Sequence, residues 1–381
     1  VGTRPDSDGV KHNGDWEIWL QELDLKEMKL IGESRRIWKG FARSVIWPEG
    51  PHLYKKDGYY YLIYAEGGTG YEHSVMAARS SSLQEPFEAC PRNPILTHRH
   101  LGKNFPVTCV GHGDLFDDEN GEWYMAVLAC RTLHGGSSLG RETFLAKVDW
   151  EDAWPVVSPG SGLLENFLEI PLKEHRFAKE AQEELLLHFG EEKLDPRLLG
   201  VCRIPEENYS LEARKGYLRL YARKAQAKEN TAFSYLGVRQ NSYSMHISTR
   251  LEFELDQEGD AVGLLLFQNQ KNHLKMEVIK TEEKFVFRVT QVVQGQEEIL
   301  AEKQIQKKEL EIHLKTENQK AGIFLDQGKG RVPVAEGISL KYYTTESSGG
   351  FVGCTIGPYA STYGKESSSW ADFSWLCAIG R

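Results

Sequence analysis

A strand–turn–strand unit occurs twice in the first half of this chain, and few folds accommodate such a repeat. Residues Gly50–Tyr64 read GPHLYKKDGYYYLIY and Gly113–Val127 read GDLFDDENGEWYMAV. In each, aromatic and aliphatic residues suited to a pleated surface flank a dipeptide, Asp57-Gly58 or Asn120-Gly121, that tolerates the positive φ of a hairpin turn. Glu49 and the Gly111-His112-Gly113 turn occupy comparable positions before successive hairpins. A recurrence of roughly 60 residues, with about four strands per unit, is the signature of radially repeated sheets such as propeller blades. Asp15–Leu23 alternates in the same manner and belongs to an earlier blade. Residues 1 to about 155 thus supply roughly two and a half blades, fewer than the four or more of a closed ring, so the propeller is expected to be incomplete. A first residue that is Val rather than Met points the same way, to a partial chain.

The stretch Trp154–Gly162 carries the Pro, Gly and Ser density of a domain boundary. Glu180–His188 is open between a short helix and a charged connection. From Tyr217–Tyr221 onward short alternating strands return, at Met245–Leu255, Val262–Phe267, His273–Ile279 and Lys284–Val289. Many short strands with regularly spaced turns describe a two-sheet sandwich. The expected organisation is therefore propeller blades over 1–155, a linker over 156–180 and a sandwich over 181–381.

With 381 residues, of which 40% are hydrophobic, the chain can bury two substantial cores. A net charge of −9 without a long basic run argues against nucleic acid or an anionic membrane as partner, and suits a neutral substrate. No apolar run reaches the length of a membrane-spanning helix. The six cysteines are dispersed with no CxxC spacing, which reads as reduced, mostly buried thiols. That favours a cytoplasmic setting, with secretion left open by the non-Met start.

The run PEGPHLYKKDGYYYLIYAEGGTGYEHSV, from Pro48 to Val75, closely resembles glycoside hydrolase family 43, in particular its β-xylosidase branch. The second half resembles the concanavalin-like domain that follows the propeller in those enzymes. The resemblance implies an all-β fold, part of a five-bladed β-propeller followed by a concanavalin-like β-sandwich. It also implies an inverting exo-glycosidase that releases xylose from the non-reducing ends of xylo-oligosaccharides and also accepts α-L-arabinofuranosides. No cofactor is required, calcium is optional, and relatives often form homo-oligomers.

Glycoside hydrolysis generally needs two carboxyl groups, one to protonate the leaving oxygen and one to activate water or attack carbon. By resemblance Glu49, held between Pro48 and Gly50-Pro51, is the general acid; the bland alternative is a solvated loop carboxylate. The family's two catalytic aspartates have no matching motif here. The chain is thus expected to lack its base and to need a preceding segment for activity. Asp114, in a different repeat, is a poor substitute. His112 matches the family's axial histidine and is open between packing or substrate positioning and cation or water binding. Arg141 matches an arginine that holds sugar hydroxyls, the alternative being an ordinary ion pair with Glu142. Thr69 corresponds to a substrate-contacting position, and its Gly-rich loop lacks the Gly-Lys-Ser/Thr ending of a phosphate cradle. Trp47 could stack on a sugar ring or simply pack. In the sandwich, the aromatic residue that the family lends to the pocket is expected near Ser347, where this chain has serine; Phe351 reads as strand core. The competing functional reading is a non-catalytic carbohydrate-binding or structural fragment of such an enzyme. A third, an unrelated sandwich lectin, would leave the propeller match unexplained.

Overall fold

The computed structural model describes residues 1–41, 46–165, 167–171 and 184–380. Two compact units emerge: Val1–Gly135 with Arg141–Leu172, and Gly136–Gly140 with Lys173–Arg381.

Among the described residues, the first unit holds three antiparallel sheets of three, four and four strands, where the sequence repeat suggested two and a half blades. The first sheet is β1 (Gly2–Pro5), β2 (Trp16–Asp24) and β3 (Lys29–Trp38). The second comprises β4 (Glu49–Lys56), β5 (Tyr59–Glu66), β6 (Ser74–Ser80) and β7 (Glu88–Ala89), and the third β8 (Val107–Asp117), β9 (Trp123–Arg131), β10 (Glu142–Glu151) and β11 (Trp154–Val157). Each sheet is a simple meander, because each hairpin returns the chain beside the strand it has just left. Asp57 and Gly58 both take positive φ (47° and 84°), the tight turn expected of Asp-Gly. At the second repeat only Gly121 does so, and the turn wraps the Asp118 carboxylate, which accepts from the amides of Asn120 and Glu122 at 2.9 Å each.

The near-continuous apolar run of β5 follows from burial on both faces. Tyr61 and Ile63, with Val75 and Ala77 of β6, join Val110, Leu115, Met125, Val127, Val148 and Trp154 in one core against the third sheet. Leu62 and Tyr64, with Met76 and Ala78, join Ile18 and Phe87 in another against the first. Successive side chains of one strand thereby weld a sheet to both its neighbours.

The second unit is a sandwich. One sheet runs β13 (Tyr209–Ser210), β14 (Leu218–Tyr221), β25 (Trp370–Gly380), β16 (Met245–Glu254), β21 (Glu309–Glu317), β22 (Lys320–Asp326) and β23 (Val332–Ser339). The other runs β15 (Val238–Arg239), β24 (Thr355–Ser361), β17 (Ala261–Asn269), β18 (Asn272–Lys280), β19 (Phe285–Val293) and β20 (Gln296–Ile305). Glu184–His188 is neither helix nor loose connection: it is β12, pairing with β25, and residues 180–183 lie outside the described ones. Alternate residues of both sheets, Ile247, Leu264, Leu266, Met276, Phe287, Ile312, Ile323 and Phe373 among them, fill the space between. Gly136–Gly140 folds as part of this unit: Ser137 donates from its amide (2.8 Å) and hydroxyl (2.6 Å) to the Glu346 carboxylate, and Gly140 bridges Val352. Phe351, expected in a strand core, is instead 52% exposed in the loop before β24. Four cysteines, Cys90, Cys109, Cys130 and Cys354, are buried. Among the described residues no helix is long and apolar enough to cross a membrane.

Candidate active site

Edge strands of the first unit converge, since β1 and β8 both lie against β4. Glu49 is the first residue of β4, where the register with β5 shifts between the Glu49–Ala65 and His52–Ile63 pairs. An edge strand tolerates Pro51, which has no amide to contribute to a ladder, and the bulge re-aims Glu49 relative to the regular strand beyond. Upstream, Trp47 sits at φ 47° with its amide donating to the Gly14 carbonyl at 2.6 Å, and Ile46 accepts from Gly67 at 3.0 Å. The Trp47 indole is wedged between two glycines: a Cβ on Gly14 would lie 2.9 Å from Nε1, and one on Gly68 would lie 2.6 Å from Cε3. Packing thus accounts for this tryptophan, which also ties the loop bearing half-buried Thr69 to the approach of Glu49.

On β8 two register shifts flank Gly111, and both Cys109 (φ 57°) and His112 (φ 58°) are left-handed, a conformation costly for residues with a Cβ. The double bulge turns His112 onto Gly50, whose absent Cβ would lie 2.6 Å from the imidazole Cε1 and Nε2. His112 thereby covers Gly50, the residue that follows Glu49. Burial raises the Glu49 carboxyl above its ordinary 4.5, and the positive charge of Arg141 partly offsets this. Burial lowers His112, with the charges of His52 and Arg141 acting in the same direction and Asp114 against them. A half-buried carboxyl whose hold on its proton is strengthened by burial, next to the glycine that an imidazole covers and in the field of a guanidinium, can deliver a proton while donors hold a neutral polyol.

Two further groups lie beside His112 and a third lies beneath it, and none of them sits in a motif. His52 lies edge-on to His112 with ring centroids 6.2 Å apart, and its Nδ1 is 3.5 Å from Asp114. Tyr54 donates to Asp114 and accepts from the Leu115 amide at 2.9 Å. His73, fully buried, lies under Gly111. His52 and Tyr54, two residues apart on β4, share one face of that strand; their use depends on which strand faces β4. The Asp114 side chain is 57% exposed and accepts from the Tyr54 hydroxyl. Glu142, the alternative ion-pair partner that the sequence offered for Arg141, makes a bidentate pair with Arg131, at 2.8 and 2.7 Å.

Calcium takes six to eight oxygen ligands. Among the described residues, the one group of three ligand-type side chains is Asp6, Asp8 and Glu17, remote in sequence from His112 and already neutralised by Arg36 and Lys39. Among the described residues, no such group of three includes His112.

A family model described as "Glycosyl hydrolases family 43" matches residues 4–155, and one described as "Beta xylosidase C-terminal Concanavalin A-like domain" matches residues 187–377. A "Xylosidase/arabinosidase" of Butyrivibrio fibrisolvens is 54% identical over 377 residues, covering 99% of this chain and 73% of that protein. The "Non-reducing end alpha-L-arabinofuranosidase BoGH43B" of Bacteroides ovatus is 30% identical over 359 residues, 94% of this chain and 67% of its own length. Among solved structures, a xylan beta-1,4-xylosidase from Bacillus halodurans superposes with a TM-score of 0.84 at 28% identity, over 95% of this chain and 70% of that one.

Proposed function

Since the chain belongs to glycosyl hydrolase family 43, we propose that it is an inverting β-xylosidase. It removes xylose from the non-reducing ends of xylo-oligosaccharides and also accepts α-L-arabinofuranosides. The observation that carries this reading is the half-buried carboxyl of Glu49, next to the Gly50 that His112 covers and within the field of Arg141. Glu49 protonates the departing glycosidic oxygen, while Arg141, always charged and planar, holds sugar hydroxyls. Thr69 and His112 border the same sugar, and Trp47 keeps their loops together. Inversion needs a second carboxylate about 6.5–9.5 Å from the first, with water between it and the sugar. That base, we propose, comes from a segment encoded ahead of Val1. The reading is supported by alignment of 99% of this chain to only 73% of the Butyrivibrio relative. The proposed reaction uses no metal or other cofactor. A homo-oligomer and a cytoplasmic setting belong to the same proposal.

Assaying the full gene product and the 381-residue chain side by side on nitrophenyl β-xyloside and nitrophenyl α-arabinofuranoside tests it. The full product should turn over both, with an alkaline limb of kcat/KM above the ordinary carboxylate range, because a raised pKa keeps the acid protonated to higher pH. Glu49→Gln should lose roughly a hundredfold or more, and Arg141→Met should move the alkaline limb upward as the offsetting charge is removed. The 381-residue chain alone should be inactive, and EDTA should leave the full product unchanged. Strong turnover by the Glu49→Gln variant would refute the assignment.

A further inference from the structure

We propose that His73 is a positioning residue for His112, and through it for the general acid, a role that rests on the hydrolase reading of the same site. His73 precedes β6, is fully buried, and is anchored at both backbone groups: its amide donates to Gly70 at 3.1 Å, and its carbonyl accepts from the Thr97 hydroxyl at 2.8 Å. Its Nδ1 lies 3.1 Å from the carbonyl oxygen of Cys109. A carbonyl only accepts, so the proton is on Nδ1 and Nε2 carries the lone pair. Cys109 opens the irregular stretch of β8 in which Cys109 and His112 both take positive φ. The imidazole fills the hollow of that bulge, for a Cβ on Gly111 would come within 2.4 Å of its ring. One ring thus binds the first strained residue of the bulge, packs under its glycine, and leaves the next residue, His112, only the orientation that covers Gly50 beside Glu49. A strained backbone persists when its surroundings over-determine it, and His73 is the group that does so here.

The chemistry singles out discriminating substitutions. Asparagine sets an amide NH₂ near the position of Nδ1 and keeps the donor to Cys109; glutamine reaches the position of Nε2 instead; leucine fills space with neither. In the full gene product, His73→Gln and His73→Leu should lower kcat on the nitrophenyl xyloside about tenfold to a hundredfold with KM changed less than about threefold, as expected when a catalytic group is misplaced rather than binding lost. His73→Asn should stay within about threefold of the parent in both. Parental kcat in the Gln and Leu variants, or an Asn variant as impaired as they are, would overturn the proposal. Nitrogen NMR of the parent needs no turnover: near pH 6 His73 should be a neutral imidazole protonated at Nδ1, and an Nε2-protonated or doubly protonated ring would also overturn it. If the parent fails to cleave the xyloside, the hydrolase reading falls while the tautomer measurement still judges the strut.

Discussion

Gly50 shows how much of the site is decided by single atoms. It combines φ 55° with an imidazole where a Cβ would go, so Gly50→Ala must both strain the backbone and displace His112. Gly58, at φ 84° with nothing within 4 Å, meets only the first difficulty. Gly58→Ala should cost about 1 kcal/mol and leave kcat intact, whereas Gly50→Ala should cost about 1–3 kcal/mol and lower kcat of the full gene product by roughly tenfold or more. Thermal melts and steady-state kinetics on the two variants check the contrast. Glu49, His112 and Arg141 could be singled out as candidates in the sequence because each sits in a short, unusual motif. His73 and His52 could not, since nothing local separates a histidine that packs against a bulge from one on a solvated loop. Glu142, the alternative ion-pair partner that the sequence offered for Arg141, grips Arg131 of the adjacent strand β9, a neighbour that chain order does not reveal.

At the scale of elements, the hairpins were the easiest part to read, and their edges the hardest. The turn dipeptides and pleated runs define β4–β5 and β8–β9 without tertiary information. The bulges at Glu49–His52 and Thr108–Gly113 left no comparable signature, because an extra residue is accommodated by its partner strand rather than announced by its own composition. The segment Gly136–Gly140 was equally opaque: lying between β9 and β10, it folds with the sandwich through the Ser137–Glu346 clasp. Glu346→Ala removes an acceptor from a fully buried hydroxyl and an amide. It should destabilise the sandwich unit by about 1–3 kcal/mol. Calorimetry checks this, and a melt unchanged from the parent would show the clasp to be idle. Glu184–His188 was undecided because its charged start masked a short strand completed by β25.

For the whole molecule, acid should weaken both units together. Burial lowers His73 in the first unit, and His273 and His313 in the second, from the ordinary 6.5 to about 4. Between those values the unfolded chain binds protons that the folded chain refuses, so stability is present above pH 6.5 and is lost as pH falls toward 4. Each group contributes on the order of 1–3 kcal/mol, so melting temperatures should drop steeply over that window, and a flat profile would contradict the burial of these imidazoles. The amino-acid order by itself determined an all-β chain, the hairpin repeat and the sandwich that follows, because strand periodicity and turn dipeptides are local properties. Which edge strands meet, and therefore that His112 lies over Gly50 with His73 beneath it, was decided by the tertiary structure alone: those neighbours come from different sheets, and only side-chain packing between sheets chooses among the ways they could face one another.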